Sequence, residues 1–264
     1  MTPTSSPTNP APRRLFVDIN ADLGEGAGSD AELMPLVTSA NIACGAHAGD
    51  EASMREAVSL ALRHGVALGA HPGFADRQNF GRRELPVSPA GAASLVSAQV
   101  GALALIAAGS GATLTHVKPH GALYAIASRD RAIADAIAGA VFQSDPRLIL
   151  VGLSGGRLLE AGRARGLRVA SEAFADRSYE PDGSLTPRGI PGALLASPGA
   201  ALEQAVRLLE RGTVLARGGT EVPVEADTLC IHGDGPHALE LARKLRAALA
   251  AAGFGARPLA SFLR

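Results

Sequence analysis

The chain has 264 residues, 47% of them hydrophobic, and its 25 basic and 25 acidic residues give a formal net charge of zero. This length suits one large α/β domain, and the even charge balance argues against a nucleic-acid-binding protein, which needs a basic surface. Two cysteines, Cys44 and Cys230, are too few for a disulfide scaffold and are typical of a reducing compartment, so a cytoplasmic protein is expected.

The chain begins with a segment rich in proline, serine and threonine that lacks the apolar stretch of a signal peptide. We interpret residues 1–14 as a disordered tail and residues 15–264 as a single domain. After the tail, short apolar or β-branched runs alternate with helical stretches. The predicted strands are residues 15–20, 39–43, 67–70, 113–118, 148–153, 168–172 and 227–232, and the predicted helices are residues 53–64, 89–108, 131–141, 156–165, 200–211 and 236–252.

This alternation predicts parallel strands joined by right-handed helical crossovers. Seven strands favour an α/β, TIM-like (β/α)7 barrel over a doubly wound open sheet, since no glycine-rich nucleotide fingerprint follows the first strand. Residues 85–115 carry no charged side chain, and their length alone would admit a membrane-spanning helix. Their apolarity is mostly alanine, however, and prolines, serines and a glutamine interrupt it, so a buried helix and no membrane span are expected.

Polar or ionisable side chains follow nearly every predicted strand. In a parallel barrel the carboxyl ends of all strands gather on one face, so these side chains are predicted to form an active site there. They are Asp18, Asn20, Asp22 and Glu25 with the first strand, Cys44, His47 and Asp50 with the second, His71 with the third, Lys118 and His120 with the fourth, Glu172 with the sixth, and His232 and Asp234 with the seventh.

Residues spaced two apart lie on the same side of a strand. Two trios show this spacing: Asp18, Asn20 and Asp22 in the first strand, and His116, Lys118 and His120 in the fourth. We interpret Asp18 and His116, the deepest members, as parts of a satisfied polar network inside the barrel. The histidines beside strand-end glycines are instead predicted to be functional: His47, His71, His120 and His232.

These residues permit a divalent metal ion without demanding one. In a strand, His116 and His120 would lie roughly 13 Å apart, too far to bind one ion. Asp22, His47 and His71 come from different strands and could hold an ion together.

Two polar segments, residues 73–87 and 175–191, look like insertions at the strand-end face. Long polar loops over a barrel mouth commonly cover a substrate. Arg177 and Arg188 in the second segment are candidates to bind a substrate carboxylate, with a structural or solvated role as the alternative for each.

Six regions of the chain, taken in order, resemble the LamB/YcsF family. They are DINADLGEG (18–26), ANIACGAHAGD (40–50), GAHPGF with FGRR (69–74 and 80–83), HVKPHGALY (116–124), EAFADRSYEPDGSLTPR (172–188) and CIHGDGPHA (230–238). The resemblance covers the chain from Leu15 to its C-terminus and leaves out the tail.

The resemblance implies ATP-dependent hydrolytic ring opening of 5-oxo-L-proline to L-glutamate by a multi-subunit 5-oxoprolinase, with two partner subunits similar to carboxylase-like proteins. It also implies an irregular (β/α)7 barrel of the glycoside hydrolase and polysaccharide deacetylase type. The chain has no P-loop motif, so ATP is expected as a cosubstrate that binds either here or on the partners.

For this reaction we expect Asp22 or Glu172 to act as the base, and Lys118 to neutralise phosphate or oxyanion charge. The functional histidines would position water, stabilise the oxyanion or return a proton. The predicted substrate-binding residues are Asn20, Glu25, Arg177, Arg188 and Asp234. Two alternatives stay open: a metal-dependent deacetylase or amidohydrolase that needs no ATP, and a non-catalytic protein that only binds the substrate.

Overall fold

The computed structural model describes residues 15–231 and 238–264. Its strands are β1 (Phe16–Leu23), β2 (Ser39–Ala43), β3 (Ala67–His71), β4 (His116–Val117), β5 (Ile149–Leu153), β6 (Arg168–Phe174), β7 (Thr213–Leu215), β8 (Glu221–Pro223), β9 (Thr228–Ile231) and β10 (Gly255–Ala256). Its α-helices are α1 (Asp30–Leu33), α2 (Glu51–His64), α3 (Pro89–Gly109), α4 (Gly121–Arg129), α5 (Arg131–Ser144), α6 (Arg157–Ala164), α7 (Pro198–Arg211) and α8 (Ala238–Ala251).

Seven parallel strands form a closed barrel in the order β1, β2, β3, β4, β5, β6 and β9, and pairing of β1 with β9 closes it. The predicted TIM-like (β/α)7 barrel is therefore confirmed. Strand β10 pairs with the start of β1, and β7 with β8 forms a separate antiparallel hairpin.

The period-two pattern of β1 decides which side chains enter the barrel. Val17, Ile19, Ala21 and Leu23 are fully buried in the main hydrophobic core. Their neighbours Asp18, Asn20 and Asp22 make hydrogen bonds or ion pairs to other barrel strands. The polar face of β1 is therefore the interior face, as the spacing predicts.

The uncharged segment forms α3, which begins with Ser88 as its N-cap and Pro89 in its first turn. This helix is long and apolar enough to cross a membrane, with a mean hydropathy of 1.7 over a window that is 39% buried. It packs against α2, α5 and β3 as one of the helices around the barrel, through residues such as Val96 and Leu103.

The structure corrects two elements around the fourth strand. The strand predicted for residues 113–118 is only His116–Val117, and α4 was not predicted at all. Pro119 has no N–H to donate, so the strand ends before it, and Gly121 turns the chain into the helix with a φ of 53°. The predicted tail, His232 and Asp234 lie outside the described residues.

Candidate active site

Asp18 is a buried carboxylate near the amino ends of the strands. Its oxygens accept hydrogen bonds from the hydroxyls of Thr38 and Ser39, both at 2.6 Å, and of Thr228 at 2.5 Å. Burial raises the pKa of Asp18 to about 6, although the hydrogen bonds oppose this shift. Asp18 thus belongs to an internal polar network, as the sequence indicated.

Asn20 connects several strands in the next layer of the interior. Its Nδ2 donates to Glu172 Oε1 at 3.0 Å and to Thr228 Oγ1 at 2.7 Å, and its Oδ1 accepts from Asn41 Nδ2 at 2.7 Å. His116 Nε2 lies 2.9 Å from Asn41 Oδ1, and burial lowers the pKa of His116 to about 3. The neutral ring therefore completes a network that fixes Glu172 below the site.

Lys118 lies above this network and is 3% exposed. Its ammonium group is 3.0 Å from Asp22 Oδ1, 2.8 Å from Glu172 Oε1, 3.1 Å from Asn20 Oδ1 and 3.1 Å from Cys230 Sγ. Burial alone would lower the pKa of Lys118, but the adjacent carboxylates raise it well above the ordinary value. Lys118 is therefore a fixed positive charge.

Glu25 and three histidines form a second cluster, and their potential ligand atoms all lie within 4.8 Å of one another. Glu25 Oε1 is 3.3 Å from His47 Nε2, 3.6 Å from His120 Nδ1 and 4.0 Å from His71 Nε2. The rings of His47 and His120 stack with centroids 3.8 Å apart and an interplanar angle of 3°. Such a group of imidazole and carboxylate ligands is consistent with a divalent metal ion.

Backbone carbonyls orient two of these rings. His71 Nδ1 lies 2.7 Å from the carbonyl oxygen of Lys118, and His120 Nε2 lies 2.8 Å from that of Phe80. Burial lowers the pKa of His47 to about 3 and also lowers that of His120. The rings of His47 and His120 are therefore neutral, the form that binds a metal.

Two glycines allow the loop after β3 to pack against the histidines. A Cβ atom at Gly73 would lie 2.8 Å from His47 Nδ1, and one at Gly81 would lie 2.8 Å from His47 Cβ. Both glycines belong to the GAHPGF and FGRR motifs. The two motifs therefore contribute polar side chains and also glycines that let the backbone pack closely against the histidine cluster.

A cavity of about 630 Å³ opens at the carboxyl ends of the strands. Both predicted insertion loops contribute to its wall: Arg82 and Glu84 come from the first, and several residues between Glu180 and Arg188 come from the second. Asp22, Lys118 and Phe174 line its inner part. The cavity thus connects the buried charges with solvent.

The cavity also contains Tyr124, which sequence reasoning did not single out. Tyr124 lies one helical turn after His120, so the start of α4 brings it over the strand ends; its backbone N–H donates to the carbonyl oxygen of His120. Burial and the charge of Glu172 raise the pKa of Tyr124 well above its ordinary value.

The structure brings most of the predicted site residues together. Those that line the cavity are Asp22, Glu25, His71, Lys118, His120, Arg177 and Arg188. His47 lies under His120, while Asn20 and Glu172 are buried below Lys118 and do not line the cavity.

Arg177 is buried, and its guanidinium donates to the carbonyl oxygens of Ala193 at 3.1 Å and Thr186 at 2.6 Å. These bonds hold the second loop in place. Burial and the nearby charge of Arg188 lower the pKa of Arg177 to about 10, so it stays charged at neutral pH.

The fold and the site define an α/β-barrel protein whose polar centre lies where barrel enzymes carry their active sites. Residues 17–264 match the LamB/YcsF family, and the chain belongs to this family. It is 55% identical to the A subunit of 5-oxoprolinase from Methylococcus capsulatus, a match that covers 94% of this chain and 97% of that protein.

A second relative and a solved structure agree with this assignment. The A subunit of 5-oxoprolinase from Tolumonas auensis is 54% identical over 90% of this chain and 96% of its own. The crystal structure of a lactam utilization protein from Thermus thermophilus matches with a TM-score of 0.85 and 50% identity, over 92% of this chain and 99% of that chain. The similarity therefore extends over almost the whole barrel.

Proposed function

We propose that this chain is one component of a multi-subunit 5-oxoprolinase and takes part in the ATP-dependent ring opening of 5-oxo-L-proline to L-glutamate. The observation that carries the proposal is the 55% identity, over nearly the whole chain, to a protein named as the A subunit of 5-oxoprolinase. We propose two partner subunits, and a cytoplasmic location that suits the two free, buried cysteines.

The chemistry accounts for the charges in the site. A lactam is a poor electrophile, and transfer of the ATP γ-phosphoryl group to its oxygen would activate the carbonyl carbon. Water then adds to that carbon, the C–N bond breaks, and the nitrogen takes a proton, which leaves an acyl phosphate. Hydrolysis by a second water molecule releases phosphate and glutamate. Each step needs a cation near the oxygen atoms and a base near water.

Lys118 and Asp22 are placed to meet these needs because both line the cavity and lie 3.0 Å apart. Lys118 would stabilise negative charge on the oxyanion or phosphoryl group, and Asp22 would accept a proton from water. Asp22 is a better candidate for the base than Glu172, which is fully buried and does not line the cavity. Glu172 would instead hold Lys118 in position.

The remaining wall fits a small lactam acid. Leu153, Phe174 and Tyr124 offer apolar surface to the ring, and Arg188 lies in the wall where it could bind the carboxylate. At about 630 Å³ the cavity is much larger than a single five-membered lactam. The extra volume leaves room for a phosphoryl group, and we propose that ATP reaches the reaction either here or from one of the partners.

The test is glutamate formation from 5-oxoproline and ATP, with the purified chain alone and with both candidate partner subunits. We expect glutamate only in the complete mixture. The variant Lys118→Met should lower kcat by a factor of about 10² to 10³, as loss of an oxyanion-stabilising group does elsewhere. Lys244→Met is the matched control, because Lys244 lies on α8 in an exposed pair with Glu240.

Other outcomes would replace the proposal. Glutamate formed without ATP and abolished by a chelator would indicate the metal-dependent amidohydrolase, which the histidine cluster makes the second candidate. Full turnover by the folded Lys118→Met variant would remove Lys118 from the catalytic groups. If the chain also binds 5-oxoproline, this result would favour the alternative in which the chain only binds the substrate.

A further inference from the structure

The cluster of Glu25, His47, His71 and His120 has the spacing of a metal site. A tetrahedral ion with metal–ligand bonds of about 2.1 Å holds its ligand atoms about 3.4 Å apart. Four distances within the cluster are 2.9 Å (His120 Nδ1 to His71 Nε2), 3.3 Å (His47 Nε2 to Glu25 Oε1), 3.6 Å and 4.0 Å (Glu25 Oε1 to His120 Nδ1 and His71 Nε2). The tetrahedral distance lies within the range of these four, and all four ligand atoms lie within 4.8 Å of one another.

The hydrogen bonds of two rings determine where their lone pairs point. His71 Nδ1 and His120 Nε2 face the carbonyl oxygens of Lys118 and Phe80, which can only accept, so these nitrogens carry the protons. The other ring nitrogens, His71 Nε2 and His120 Nδ1, then point their lone pairs at each other across 2.9 Å. Two facing lone pairs beside a carboxylate require a positive charge between them.

A metal ion supplies this charge better than a proton does. A proton can bridge only two of the ligand atoms, whereas one metal ion can bind all four, which lie within 4.8 Å of one another. Ring N–H groups bonded to backbone carbonyls are also the usual outer support of metal-bound histidines. In His47, Nδ1 is buried without a hydrogen-bond partner among the described residues, while Nε2 faces Glu25.

We propose that Glu25, His47, His71 and His120 bind one divalent transition-metal ion of the zinc class. The ligand atoms are Glu25 Oε1, His47 Nε2, His71 Nε2 and His120 Nδ1. Imidazole ligands suit zinc, whereas magnesium prefers oxygen ligands and an octahedral geometry. This set keeps His47 and His71 from the trio suggested by the sequence and adds Glu25 and His120, while Asp22 pairs with Lys118 through Oδ1.

The proposed metal site lies at the wall of the cavity. Glu25, His71 and His120 line its wall, so a bound ion would lie beside any ligand there. Asp22 Oδ2 is 3.3 Å from His71 Nε2 and is the carboxylate oxygen that could join the ligand set. The proposal does not rest on the ring-opening reaction, since it follows from the geometry of the cluster alone.

The test uses the full chain, stripped with a chelator and desalted, in the absence of 5-oxoproline and ATP. Calorimetric titration with Zn²⁺ should show about one bound ion per chain, and Co²⁺ should give visible absorption bands of a four- or five-coordinate nitrogen site. His47→Ala should weaken Zn²⁺ binding by about 100-fold or more, beyond the usual effect of losing an outer-shell partner. His64→Ala, which removes an exposed histidine of α2, should leave binding unchanged.

Two results would overturn the proposal: a folded wild-type chain that binds neither Zn²⁺ nor Co²⁺, or a folded His47→Ala variant with unchanged affinity. If His47→Ala does not fold by circular dichroism, Glu25→Gln and the Co²⁺ spectrum of the unaltered chain decide the question. A chain that binds zinc but forms no glutamate with its partners would contradict the proposed function and leave the metal site standing.

Discussion

Asp18 shows how a single buried carboxylate makes stability depend on pH. Its pKa rises from 3.8 in a free side chain to about 6 in the folded chain, chiefly through burial. At a pH between these two pKa values, Asp18 is still protonated in the folded chain but has lost its proton in the unfolded chain. The free energy of unfolding therefore falls as pH rises from about 4 to 6, by about 3 kcal/mol for this group alone.

We expect Asp18→Asn to remove this part of the pH dependence. The amide has nearly the same shape, and the hydroxyls of Thr38, Ser39 and Thr228 can rotate to suit it. Urea denaturation at several pH values, compared with wild type, measures the change. Asp135→Asn, on the surface of α5, is the control and should keep the wild-type slope. Equal slopes for wild type and Asp18→Asn would contradict the prediction.

At the same scale, sequence alone could identify side chains whose role follows from strand alternation. Asp22 and Lys118 occupy the interior positions that the period-two spacing predicts. Glu25 and Tyr124 are different, because one follows the end of β1 and the other lies within a helix. Their place depends on the path of the chain after each strand, which no local pattern specifies. Glu25 was therefore predicted as a substrate ligand rather than as a neighbour of three imidazoles.

Strand β3 illustrates how one element makes room for the next. Gly69 pairs with His116 of β4, and a Cβ atom at Gly69 would overlap the imidazole ring of His116. That ring is fixed by Asn41 and Thr115, so it cannot move aside easily. The glycine thus sets the spacing between β3 and β4 inside the barrel.

We expect Gly69→Ala to lower the free energy of unfolding by about 1–3 kcal/mol or more, because it overpacks a closed interior. Gly101→Ala is the matched control, since Gly101 lies in α3 with no atom within 4 Å of an added Cβ. There the same substitution should raise stability by up to about 1 kcal/mol, owing to helix propensity. Chemical denaturation of both variants measures the difference, and an unchanged Gly69→Ala midpoint would refute the steric argument.

Some helices can be predicted from the local sequence, whereas others depend on contacts between distant segments of the chain. The helical pattern predicted α2 and α3 to within a few residues, and in the structure Asp50 and Ser88 are their N-caps. Helix α4 begins at Gly121, shortly after the end of the predicted fourth strand at residue 118, in a stretch for which no helix was predicted. The start of α4 is held by the bond from Ala122 N–H to the carbonyl oxygen of Gly81, a contact between distant segments. Such contacts are not visible in a local sequence pattern.

In the whole molecule, one end of the barrel carries the charged site and the other end is closed by hydrophobic packing. The carboxyl ends of the strands carry the charged cluster and the cavity. At the amino ends, the segment after β10 closes the barrel as a plug. In this plug, Leu259 packs against Ile149, Val151 and Ala170 in a separate hydrophobic cluster. Sequence predicted the closed barrel but not this plug, because nothing in the pattern of residues 255–264 shows where that segment docks.

We expect Leu259→Ala to lower the free energy of unfolding by about 2–5 kcal/mol, since it removes a buried side chain and leaves a void at the base of the barrel. Leu105→Ala, at a position of α3 that is 77% exposed, should change it by no more than about 0.5 kcal/mol. Thermal unfolding measures both changes. Because the plug lies at the end away from the cavity, zinc affinity and glutamate formation well below the Tm should match wild type in both variants. A loss of zinc affinity in folded Leu259→Ala would mean that the two ends are coupled and that their separation is wrong.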